Sequence, residues 1–299
     1  MIRFIPLILL LAACSVRPNP PEEARSKADT TARLEVVTPS GTRTFTLDEL
    51  RRAIPADTAS VAHDPAHEGR AKRYAGFPLE RVLALAGART AAGEVLYFVA
   101  SDGYRATMSE PASDPRVKGI VAFADLDATG GWEPVKHGAQ SISPGPFYLV
   151  WESRTPGDSA ALARPWPYQL ARIEMVDPRR KFGRIYPTGV PDDDPVARGF
   201  RAFAIESHGG DQCVACHALN RQGGIVGPEL NVPRNVTEYR DEATLAAFIR
   251  NSRSFRAGSA MPVFEGRLTD REIADILAYL RWMRGHKVAL DSTGAATSP

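Results

Sequence analysis

From position 33 to about 178 the chain is dominated by short runs of β-branched and aromatic residues, each closed off by turn formers. Residues 34–37, 95–100, 120–123, 147–151 and 170–176 have the length and composition of strands. Two stretches keep helical spacing instead. One lies near 47–54, after Thr46; the other lies near 78–86, with Leu79, Val82, Leu83 and Ala86 on one face. A Pro/Asp-rich stretch at 187–195 breaks all periodicity, and beyond it the spacing turns helical. Residues 196–206 carry Phe200, Phe203 and Ala204 on one side, and 241–252 carry Leu245, Phe248 and Ile249. Thr269-Asp-Arg-Glu272 is a capping box ahead of Ile273, Ile276, Leu277 and Leu280. The pattern predicts an α+β chain: a β-rich mixed domain over 33–178, a linker over 179–195 and an all-α domain over 196–288.

The ends read differently. Residues 1–13 hold one charge, Arg3, then an apolar run from Phe4 to Ala13 that is too short to span a bilayer. The run closes on Leu11-Ala12-Ala13-Cys14, which resembles the lipobox of bacterial lipoproteins. An ordinary secretory peptide containing a cysteine is the competing reading. The resemblance implies cleavage of a signal peptide, residues 1–13, and acylation of Cys14. The product is then an exported lipoprotein anchored in a membrane and facing the periplasm, since two or three acyl chains hold where one does not. Residues 14–32 are rich in Pro, Ala and charge and predict a flexible tether. The small polar tail, 289–299, predicts disorder.

The 299 residues are 43% hydrophobic and 24% charged, enough apolar material for two cores. A net charge of +2 is too small to point to nucleic acid or an anionic membrane surface as partner.

The chemistry concentrates in Cys213-Val214-Ala215-Cys216-His217. A C-x-x-C-H run is the attachment signature of c-type haem: the thiols bind the porphyrin edge and the adjacent imidazole is placed under the iron. A bare C-x-x-C serves equally in a redox dithiol or half a zinc site. The chain has only three cysteines, Cys14, Cys213 and Cys216, and beyond the motif only His286 is offered as a further nitrogen ligand. Covalent haem is the simplest reading.

Residues of roughly 195–288 resemble a class I monohaem cytochrome c. Gly199 and Phe203 on the first helix and Tyr279-Leu280 on the last match the family's helix crossing, and Gly227-Pro228-Glu229-Leu230 matches its G-P-x-L loop. The resemblance implies that the Pro228 carbonyl accepts a hydrogen bond from His217, anchoring the ligand's second nitrogen. It also implies that Met261, in the loop Gly258-Ser-Ala-Met-Pro262, is the second axial ligand of one haem c. Met283 continues the apolar stripe of the last helix and reads as core. His208 lies too close to Cys213 to reach the distal face, and His286 reaches it only if the last helix abandons its packing. A six-coordinate haem implies one-electron transfer rather than catalysis. The partners are then redox proteins, a donor reductase or dehydrogenase and an acceptor oxidase or reductase.

Residues 33–178 are similar to the molybdopterin-binding fold of the sulfite oxidase family. The matches are Tyr74-Ala-Gly-Phe-Pro-Leu79, Phe98-Val-Ala-Ser-Asp-Gly-Tyr104, Gly145-Pro-Phe-Tyr-Leu-Val-Trp151 and the stretch from Trp166 to Glu174. Molybdenum-bearing members ligate the metal through a cysteine in this domain, and here none lies between Cys14 and Cys213. The expectation is a relative without cofactor, serving as a docking or ligand-binding module. The alternative is a fused enzyme that oxidises a small substrate and passes electrons to the haem. His63, His67 and His137 raise a metal hypothesis, but the first two are expected in a polar, acidic loop and the third in a Gly-rich one.

Overall fold

The protein is described from a computed structural model covering residues 32–88, 93–137, 140–155 and 157–290. The stretch expected to be a signal peptide, most of the expected tether with Cys14, and the tail from position 291 lie outside these residues.

The N-terminal region is built of strands. β1 (Arg33–Thr38) and β2 (Gly41–Thr46) form a hairpin leading into helix α1 (Leu47–Ala53), which Thr46 and Glu49 close with a capping box. β3 (Asp57–Asp64) and β4 (Arg70–Pro78) precede α2 (Leu79–Leu85). Next come β5 (Val95–Ala100), β6 (Arg105–Met108), β7 (Val117–Asp125), β8 (Val135–His137), β9 (Gln140–Ile142), β10 (Tyr148–Ser153) and β11 (Leu170–Val176). A five-stranded sheet has the order β2-β1-β11-β5-β6, and a four-stranded sheet the order β10-β7-β4-β3. Within the larger sheet β1 and β11 run parallel and the other pairs antiparallel. Leu34, Val36, Leu96, Phe98 and Ile173 of this sheet share one core with Phe77, Val121, Tyr148 and Trp151 of the other.

The run 95–100 is apolar throughout because both its faces are covered. Leu96 and Phe98 enter that core, while Tyr97 and Val99 point the other way, as alternation along a strand requires. There Tyr97, 3% exposed, meets Phe182 edge-on with ring centroids 5.9 Å apart. Burying such a ring stabilises by about 2 kcal/mol.

The segment expected to link the domains is itself packed. After α3 (Pro178–Lys181), Phe182 and Ile185 are fully buried in the core of the helical region, and Lys181 pairs with Glu174 of β11. The C-terminal region then comprises α4 (Pro195–Ala204), the one-turn α5 (Cys213–Cys216), α6 (Glu242–Arg250) and α7 (Asp270–Arg284). It is helical but not all-α: β12 (Ala218–Leu219) and β13 (Gln222–Gly223) make a small hairpin. Its two turn residues, Asn220 and Arg221, have φ of 52° and 62°, a conformation suited to a tight hairpin.

Helices α4 and α7 cross where Gly199 meets Asp275 and Tyr279. A Cβ at position 199 would lie 2.0 Å from the Asp275 carbonyl oxygen, so only glycine admits this approach. Arg198 forks onto Asp275 beside the crossing, at 2.7 and 2.8 Å. The Tyr279 hydroxyl donates to the Ile185 carbonyl at 2.8 Å. Among the described residues no helix is long and apolar enough to cross a membrane.

Candidate functional site

Cys213 to Cys216 form a single helical turn, and the His217 N–H donates to the Cys213 carbonyl at 2.8 Å. His217 leaves the helix with extended backbone. The Gly-rich loop beyond it folds back along this turn. Gly224 N–H donates to the Val214 carbonyl at 2.8 Å, Gly227 N–H to Cys216 at 2.7 Å and Leu230 N–H to Ala218 at 2.9 Å. Such contact needs glycine: a Cβ on Gly224 would lie 1.9 Å from the Ala215 carbonyl oxygen.

The loop aims one carbonyl at the histidine. His217 Nδ1–H donates to Pro228 O at 2.9 Å. Glu229 fixes the peptide beyond it, its carboxylate accepting backbone N–H groups of Asn220, Arg221, Asn231 and Val232 at 2.8–3.2 Å. Behind it runs a ladder of buried amides. Asn231 donates to Asn220 and Asn235 to Asn231, both at 2.7 Å, and Asn235 also donates to the Leu280 carbonyl of α7 at 2.9 Å. These buried donors and acceptors are satisfied by one another, which makes the loop rigid.

Cys213, Cys216, His217, Pro228 and Met261 all line one cavity of about 760 Å³. That volume falls within the range of about 300–1,000 Å³ of cofactor pockets. Phe248 and Phe264 give it apolar wall, and Arg240 and Arg256 stand on it as cations. The Met261 loop is pinned by the fully buried Ser252, whose Oγ lies 2.9 Å from Ser259 Oγ and 3.2 Å from the Met261 carbonyl oxygen.

Electrostatics separates the readings of the C-x-x-C pair. Burial pushes the Cys213 thiol up to about 12 and the Cys216 thiol up to about 11. A redox dithiol needs the opposite, a thiol lowered toward neutrality. Burial holds the His217 imidazole below its usual range, which favours the neutral form, the one that ligates metal. Its Nδ1–H is engaged by Pro228, which leaves Nε2 with a free lone pair.

The remaining candidates lie elsewhere. Met283 is fully buried in the core. His208 Nε2–H donates to the Ala202 carbonyl at 2.8 Å, and His286 stacks on Trp282 at 3.6 Å. His63 sits in β3, beside the Gly69 carbonyl. The expectation of a polar loop fails for both: His63 belongs to a strand, and His67 is 2% exposed in a short 3-10 turn at Pro65–His67. Its burial follows from the network beneath it: Asp64 accepts from the Tyr74 and Tyr148 hydroxyls at 2.6 and 2.9 Å, and Lys72 pairs with Asp125 at 2.7 Å. Three residues are given a place at the site that the sequence did not assign them: Glu229, Gln212 and Tyr104. The last is contributed by the N-terminal region and also lines the cavity.

Residues 195–280 match the family described as cytochrome c oxidase, cbb3-type, subunit III. A curated relative, the cbb3-type cytochrome c oxidase subunit FixP of Bradyrhizobium sp. (strain ORS 278), is 35% identical over 98 residues. That match spans 31% of this chain and 31% of the relative's length. Among solved structures, the sulfane dehydrogenase SoxCD of Paracoccus pantotrophus is similar at 18% identity and a TM-score of 0.33. It covers 50% of this chain and 39% of that one. The C-terminal region is thus a cytochrome c domain, and electron transfer is the activity that such a domain implies.

Proposed function

We propose that the chain is a lipid-anchored periplasmic c-type cytochrome that passes single electrons between a donor and an acceptor protein. The observation that carries this reading is the arrangement on one cavity of two thiols, an imidazole anchored through Nδ1, and a thioether. The donor set suits haem c: two sulfurs one helical turn apart for covalent attachment, nitrogen and soft sulfur for iron. Cys213 and Cys216 would hold the group, His217 would ligate it through Nε2, Met261 would supply a second ligand, and Arg240 and Arg256 would offer guanidinium donors to its carboxylates.

Bound haem supplies one-electron exchange at iron. The chain's own part is to hold that chemistry still. Pro228 fixes the plane of the imidazole and strengthens it as a donor. The rigid Asn220–Asn231–Asn235 ladder resists movement of the loop, and Phe248 and Phe264 exclude water. With His217 and Met261 both serving as ligands, the metal would have no place for a substrate. Anchorage and compartment rest on residues 1–14 of the sequence, with Cys14 as the acylated residue.

The test is denaturing electrophoresis of full-length protein, matured in a host that attaches haem c, with peroxidase staining of the gel. A stained band in the wild type that is lost in Cys213→Ser/Cys216→Ser is expected. An unstained wild type overturns the reading.

A further inference from the structure

The C-terminal region does not close its cavity alone. Tyr104, on the turn between β5 and β6, lines the same cavity as Cys213, Cys216 and His217. The turn is tightly specified. Asp102 Oδ1 accepts the Tyr104 N–H at 2.9 Å, and Gly103 has φ of 97°. A Cβ on Gly103 would stand 2.8 Å from Ile225, in the loop that wraps the C-x-x-C-H turn.

The strand behind Tyr104 is tied to the cysteine turn. β6 is the edge of the larger sheet, and an edge strand presents unpaired backbone groups. Gln212, immediately before Cys213, pairs with that edge through its side chain. Thr107 N–H donates to Gln212 Oε1 at 2.7 Å, and Gln212 Nε2–H donates to the Thr107 carbonyl at 2.7 Å. This is the two-bond exchange of neighbouring antiparallel residues, made here by a carboxamide. Thr107 is fully buried and Gln212 is 3% exposed. The Thr107 hydroxyl also donates to the Ala204 carbonyl at the end of α4, at 2.6 Å.

We propose that Tyr104 is a wall residue of the haem site, set in place by the Gln212–Thr107 clamp. Through it the N-terminal domain raises the haem's reduction potential by excluding water from the cysteine-linked edge. This inference rests on the haem reading of the cavity. Ferric haem carries one more positive charge than ferrous haem, and water stabilises that charge, so a drier edge favours the reduced state. Tyr104→Ala opens the wall, whereas Tyr104→Phe keeps the ring. Gln212→Ala leaves two backbone groups of buried Thr107 without partners and loosens the wall from the other side.

The experiment is potentiometric titration of full-length holoprotein, with absorption spectra taken to verify unchanged axial ligation. Tyr104→Ala and Gln212→Ala should each shift the reduction equilibrium at least threefold toward the oxidised form, about 30 mV at 59 mV per tenfold for one electron. Tyr104→Phe should stay near the wild type. Haem-loaded Tyr104→Ala or Gln212→Ala with the wild-type potential overturns this inference alone, as does a Tyr104→Phe shift equal to that of alanine. Gln212→Ala decides the matter even if Tyr104→Ala does not accumulate. A wild type without covalent haem overturns the cytochrome reading and this inference with it.

Discussion

Gly227 is packed so closely against the His217 imidazole that a Cβ on it would stand 2.6 Å from Cε1 and 2.7 Å from Nδ1. The next residue, Pro228, takes the Nδ1–H of that same ring at 2.9 Å. Two consecutive residues therefore set where the ring sits and how it is turned. Gly227→Ala should displace the imidazole and break the Pro228 bond, weakening His217 ligation by about tenfold or more. Acid titration of the holoprotein in a Met261→Ala background, monitored by absorption spectroscopy, measures it, because protons then compete with the metal for His217.

Glu229 holds the backbone that presents the Pro228 carbonyl, through four N–H groups. Glu229→Ala leaves these donors to find water and should cost about 2 kcal/mol. Chemical denaturation of the holoprotein reads that loss, and Glu229→Gln, which keeps an acceptor oxygen, should lose less.

Gly199→Ala should destabilise the α4–α7 crossing by about 3 kcal/mol, since the added methyl meets the Asp275 backbone and not a side chain that can turn away. The unfolding midpoint of the variant, compared with that of an exposed Gly→Ala control at Gly130, measures the effect.

A pH dependence belongs to the N-terminal region. Hydrogen bonds from Arg70 and then Lys72 hold Glu133 down at about 2, below the usual carboxylate value of about 4.3. A depressed carboxylate adds stability above its unfolded value, and that stability disappears as pH falls through the folded value. The melting temperature of the wild type should exceed that of Glu133→Gln at neutral pH, and the gap should narrow between pH values of about 4.3 and about 2. A gap that widens in that window contradicts the pairing.

What could be read from sequence was what is local. Cys213 to His217, the G-P-x-L loop and the capping box at Thr269 each declare themselves within a few residues. The strands β5 and β11, with apolar sequences, appear in the structure where the pattern puts them. Strand β2 gives no such signal because four of its six residues are exposed. Strands β3 and β4 are masked by polar residues that are buried only because they pair with one another, such as Asp64 with Tyr74 and Lys72 with Asp125. Phe182 and Ile185 were hidden by their setting beside a Pro/Asp-rich stretch, although both belong to a core.

The seam between the two regions was illegible for a different reason. Gln212 and Thr107 are 105 positions apart, and neither residue type marks a site. A glutamine before a haem motif reads as an ordinary polar residue until an edge strand is seen to need one donor and one acceptor there. Tyr97 gives the nearest hint: an apolar residue on the face of β5 opposite the core requires a second covering surface.

The central claim is that the chain itself supplies both axial ligands and leaves no open position at the metal. Carbon monoxide added to the reduced holoprotein, monitored by absorption spectroscopy, tests it most directly. The wild-type spectrum should not change, whereas Met261→Ala should bind the gas. Prompt carbon monoxide binding by the wild type would contradict the account, because it would mean an open or labile site and a role in sensing or catalysis.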